Sequence, residues 1–204
     1  MNAGVQTSSL RDAHRNLTRR RVLDAALGLF RDGAVEDLTM AGVAARAGMT
    51  ERTIYRHFET REALLGAVWE EINAIVKTPS MPDTPERLIA QPREMFREFD
   101  KEEALLRAIV TTRQGRELRL SVNAQRQTAI RQAVRAARPE LMEPHFTRLC
   151  AAVQLLDSSF AWAVMKDYWG LAGDEAGAAA SEAIRVLLGY GAAPEDQHAK
   201  EKTP

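Results

Sequence analysis

The chain has 204 residues, 45% hydrophobic and 27% charged, the composition of an ordinary globular protein long enough for one large domain or two small ones. No apolar stretch nears the ~18 residues of a membrane span, no secretory leader is expected, and the single cysteine, Cys150, excludes a disulfide framework or a cysteine-built zinc site within the chain and fits a reducing cytoplasm. Formal net charge is zero, yet residues 1–61 carry ten arginines against seven acids, which points a positive N-terminal end at a polyanion.

Strand signals are nearly absent, and apolar residues recur at helical spacing throughout, so an all-α fold is expected. An arm, Arg11–Thr18, leads into a first helix that starts near Thr18 or Arg19 and buries Val22, Leu23, Ala26, Leu29 and Phe30. Gly33 ends it, because glycine takes the left-handed conformation past a last turn. Thr39 caps a two-turn helix over Met40–Ala47, which Gly48 stops. Thr50 caps a third helix, Glu51–Phe58, and Thr60 a longer fourth, with Glu62 in its first turn where negative charge suits the dipole. The Pro-rich stretch Thr78–Pro85, containing Pro79 and Pro82, divides the chain. The expected domains are residues 18–77 and 84–191. The second holds helices over Glu86–Asp100, Glu102–Gln114, Glu117–Ala137, Pro144–Trp169 and Asp174–Tyr190, before a polar, frayed tail from Ala192 to Pro204.

Two short helices joined by a tight turn that begins with glycine form the helix-turn-helix pattern. Val43, Ala44, Ala47, Met49, Ile54 and Phe58 supply its packing. Ile54 and Phe58, four apart, give the third helix one inward face. Glu51, Arg52, Thr53, Tyr55, Arg56 and His57 are then left outward or sideways. Such residues make a poor core and a good nucleic-acid surface: arginine forks onto guanine, while hydroxyls and imidazole reach phosphates.

The run Leu38–Leu65, with Thr39, Val43, Ala44, Gly48, Thr50, Thr53, Ile54, Tyr55, Phe58 and Leu64 in place, resembles the DNA-binding domain of the tetracycline-repressor (TetR) family. Phe30-Arg31-Asp32-Gly33 is similar to the family pattern too. The likeness covers about residues 18–72. It implies phosphate contacts for Thr39, Thr53, Tyr55, His57 and Arg61, and base-facing positions for Glu51, Arg52 and Arg56. Arg61 stands where the family usually has lysine, and the charge is kept. Glu51 has two readings: an acceptor for cytosine N4, or a favourable charge at a helix N-terminus.

Elsewhere the bland readings dominate. The four histidines show no metal-ligand spacing, so neither a metal nor another cofactor is expected. Cys150, on an apolar helix, reads as a buried inert thiol. Arg107, Arg113, Arg116 and Arg119 read as helix faces paired with Glu102, Glu103 and Glu117. No nucleophile elbow, P-loop or dinucleotide fingerprint appears, so no catalytic residue is expected.

The function expected is therefore a DNA-binding transcriptional regulator, a repressor rather than an enzyme or a helical protein-binding adaptor. The resemblance implies a homodimer on palindromic double-stranded DNA, joined by the last two helices. Ala180, Ala183, Ile184 and Leu187 are the expected interface, because small residues permit close helix approach. It also implies an effector pocket in the C-terminal bundle. Phe96, Phe99, Ile109, Phe146 and Trp162 are candidates, with Arg107 or Arg113 as a polar anchor for an unidentified small molecule. The same aromatics equally suit a solid core.

Overall fold

The computed structural model describes residues 10–78 and 81–191; Pro79 and the tail 192–204 lie outside them. These residues form eleven α-helices and one 3-10 turn, Val35–Asp37, with no strand among them. In chain order the helices are α1 (Leu10–Arg31), α2 (Met40–Ala47), α3 (Glu51–His57), α4 (Arg61–Ile75), α5 (Pro85–Lys101) and α6 (Glu103–Thr111). Then follow α7 (Arg113–Ser121), α8 (Asn123–Ala137), α9 (His145–Leu156), α10 (Ser159–Trp169) and α11 (Gly173–Leu187). No helix among the described residues is long and apolar enough to cross a membrane.

Three expectations change. The segment Arg11–Thr18 is helix, not an arm: α1 begins at Leu10. Residues 12–17 are exposed and carry no apolar stripe, so periodicity could not reveal this stretch. The span expected as two helices, Glu102–Ala137, is three. Thr112 makes the first break: its hydroxyl donates to the Ala108 carbonyl at 2.6 Å and accepts from Gly115 N–H at 3.0 Å, closing α6 and opening α7. Ser158 likewise divides Pro144–Trp169, donating to the Leu155 carbonyl and capping Ala161 N–H of α10.

The chain folds as two compact units. One contains the described residues up to Ile75 together with Glu103–Val122; the other contains Val76–Glu102 and the described residues from Asn123 on. In the first, Val22, Leu23, Ala26, Leu29 and Phe30 of α1 are all buried, as are Val43 and Ala44 of α2, Ile54 of α3, Phe58, and Leu64, Leu65 and Val68 of α4.

The second unit is organised by the seam between α5 and α11. Gly173, Ala176, Gly177, Ala180, Ser181 and Ile184 form the buried face of α11, and Leu88, Pro92, Met95, Phe96 and Phe99 lie on that of α5. The two backbones are so close that a Cβ on Gly177 would lie 2.8 Å from Arg93 Cα. Phe96 stacks on Phe99, whose ring meets Trp162 edge-on at 5.8 Å. Asp100 ties the same end together: its carboxylate accepts from Trp162 Nε1 and Lys166 Nζ, both at 2.9 Å, and from Gly173 N–H at 2.6 Å. Burial works against that charge, but these bonds outweigh it and hold the carboxyl below its ordinary value.

Candidate nucleic-acid interface

The helix-turn-helix is built from local signals. Gly42 N–H donates to Thr39 Oγ1 at 3.0 Å, which starts α2. Gly48 ends it at φ +66°, a left-handed conformation that glycine takes without strain. Thr53 N–H donates to Thr50 Oγ1, which starts α3 only three residues later. Ala44 and Ala47 are buried, and Arg21 of α1 donates to the Ala47 carbonyl at 3.1 Å, holding α1 to the end of α2.

The expected outward face of α3 is present. Glu51, Arg52, Tyr55 and Arg56 are exposed, with Ile54 wholly buried beneath them. Thr53 and His57 are half-buried flanks. The Thr53 hydroxyl lies 3.0 Å from that of Thr50, within the cap cluster. Thr39 is exposed at the start of α2, so its hydroxyl hydrogen is available to an acceptor while its oxygen serves the cap. Arg61 at the start of α4 is engaged: Nη2 donates to Glu117 Oε2 of α7 at 2.6 Å and reaches the Leu38 carbonyl at 3.5 Å.

The C-terminal end of α3 is strongly cationic. Burial, then the charges of Arg56, Arg15 and Arg19, push the His57 imidazole below its ordinary value. The Arg19 guanidinium lies 4.4 Å from the centre of the Phe58 ring. Sequence reasoning assigned no site role to Arg15 or Arg19; the extension of α1 back to Leu10 is what places them here.

A two-turn support helix, a glycine-started turn and a short helix with a polar, arginine-bearing face point to one kind of protein. Residues 22–68 match the family model described as bacterial regulatory proteins, tetR family. The N-terminal domain belongs to the tetR family. Curated relatives agree. The HTH-type transcriptional regulator AcrR of Shigella flexneri is 38% identical over 53 residues, 26% of this chain and 25% of that protein. SrpR of Pseudomonas putida, also an HTH-type transcriptional regulator, is 41% identical over 51 residues, 25% of this chain and 24% of its own length. Tetracycline repressor protein class C of Escherichia coli is 38% identical over 66 residues, 32% of this chain and 30% of the repressor. The chain thus spans only about a quarter to a third of the length of each of these relatives.

The expected effector residues are distributed over both units. Arg107, Ile109 and Arg113 belong to the first unit, where Arg107 pairs with Glu103 at 2.7 Å and Arg113 lies 3.9 Å from Glu117. Phe96, Phe99 and Trp162 pack together in the second. Phe146 lies in another part of that core, with Leu88, Ile130, Val134 and Val153, and the Arg135 guanidinium sits over its ring. A recess of about 70 Å³ between α8 and α9, lined by Gln127, Arg131, Thr147 and Cys150 among others, holds no more than a few waters. Cys150 is buried, and burial pushes its thiol up.

The residues expected to face a partner copy differ in burial within the single chain. Ala180 and Ile184 have no exposed surface on the single chain: they belong to the α5–α11 seam. Ala183 and Leu187 are half-exposed. The outer apolar surface of these helices instead carries Phe160, Val164 and Tyr168 at four-residue spacing on α10, with Val186 on α11 and Tyr190 beyond its end.

Proposed function

We propose that the protein is a ligand-responsive transcriptional repressor that binds a palindromic operator as a homodimer. The exposed Arg52, Tyr55 and Arg56 on a helix anchored by buried Ile54 carry the DNA-binding part of this reading. Such a face pairs with base edges and phosphates, while one short helix contacts too few bases to be selective by itself. Two copies on inverted half-sites solve that. Exposed apolar side chains on α10 and α11 suit self-association, because a single chain leaves Val164 at 50% and Val186 at 54% exposure. A protein seated on an operator blocks transcription, which favours repression, and three relatives are named tetracycline repressors. An effector acts by binding one spacing of the two reading heads better than another.

Selection of random duplex DNA with the full-length protein tests the reading. An enriched inverted repeat, with half-sites about 34–36 Å apart or a multiple of that, is the expected result. Absence of any enriched sequence together with absence of salt-dependent binding overturns it. With the operator known, a small-molecule screen for release from DNA tests the effector.

A further inference from the structure

The first turns of α1 place arginines beside the C-terminal end of α3. Arg19 is fixed by its stacking on Phe58, the residue that closes α3. Arg15 lies one helical turn earlier, about 6 Å along the axis, and is exposed. Other arginines of α1 are turned elsewhere: Arg20 pairs with Asp24 and Glu71, each at 3.1 Å, and Arg21 with the Ala47 carbonyl. Arg15 and Arg19 face Arg56 and His57 instead, close enough for their charges to oppose protonation of the imidazole. Four basic side chains from two helices therefore share one locale. Like charges gathered in this way repel in the free protein, and a polyanion relieves the repulsion.

We propose that the N-terminal turns of α1 are part of the DNA interface, with Arg15 and Arg19 holding phosphates that flank the bases faced by α3. This rests on the DNA-binding reading and extends it to a segment outside the helix-turn-helix.

The test uses the full-length protein and a random-sequence duplex of about 30 base pairs, a length chosen to cover several helical turns. Binding is followed by fluorescence anisotropy across a salt series, for wild type, Arg15→Gln and Arg15→Lys. Arg15→Gln is expected to lower the slope of log affinity against log salt by about one per bound protomer, and Arg15→Lys to restore it. Without DNA, NMR titration of His57 should show a higher midpoint in Arg15→Gln, because one opposing cation is gone. A bound complex with an unchanged slope overturns the proposal and leaves the DNA-binding reading standing. An unmoved His57 midpoint overturns the placement of Arg15. A wild-type protein without salt-dependent binding removes both readings.

Discussion

Arg61 at the first turn of α4 and Glu117 on α7 form an ion pair of 2.6 Å across 56 residues of sequence. Arg61 opens α4, the helix after α3, and we propose that DNA phosphate and Glu117 compete for its guanidinium. Glu117→Gln should therefore tighten binding to any duplex and steepen its salt dependence by up to about one unit per protomer. In an Arg61→Ala background the same change should have no effect. Anisotropy titrations of the four proteins check this, and equal affinity in wild type and Glu117→Gln would remove the competition.

Arg52 and Arg56 are both exposed on the face of α3. Replacing either by alanine should relax preference at particular operator positions, at about 1–3 kcal/mol for a bidentate base contact. Affinity for unrelated duplexes should change much less. Binding to a panel of single-base operator variants separates the two effects; a uniform loss across the panel would assign the residue to phosphate.

Asp157 is fully buried between Arg126, at 2.9 Å, and Gln91, at 3.4 Å. Burial pushes its carboxyl up to about 6 in spite of Arg126. Unfolded aspartate titrates near 3.9, so between about pH 4 and 6 the folded state holds more proton than the unfolded one. This group therefore lowers stability as pH rises through that interval, by at most about 1.4 kcal/mol per unit. Asp100, held below its ordinary value, acts in the opposite sense, chiefly below about pH 4. Urea denaturation of wild type and Asp157→Asn from pH 4 to 7 should give a wild-type advantage that shrinks toward pH 6 and is then constant. A difference independent of pH would contradict the assignment.

Self-association through the outer face of α10 and α11 predicts that Val164→Glu or Val186→Glu yields monomers with intact helicity and no selective DNA binding. A carboxylate buried unpaired at an interface is costly, while on a free surface it costs little. Ala180→Glu is a different experiment, since Ala180 has no exposure on the single chain: it should disrupt the α5–α11 seam itself. Light scattering with circular dichroism distinguishes these outcomes, and dimers in both valine variants would move the interface elsewhere.

What the sequence determined by itself is what a few neighbouring residues decide. Thr39, Gly48, Thr50 and Thr60 set the limits of α2 to α4 through bonds to groups no more than about a turn away, and Ile54 with Phe58 fixed which side of α3 is outward. Thr112 and Ser158 were equally local, yet a continuous apolar period across them concealed the breaks. Only the tertiary structure decided the rest. Periodicity says that one face of α11 is buried, and does not say against what; the closeness of Gly177 to α5 gives that face to its own chain. It also placed Glu103–Val122 with the N-terminal helices, and Glu117 beside Arg61. Helix caps depend on hydrogen bonds within a turn, whereas the partner of a face depends on how whole surfaces fit, and that information is spread over residues far apart in the chain.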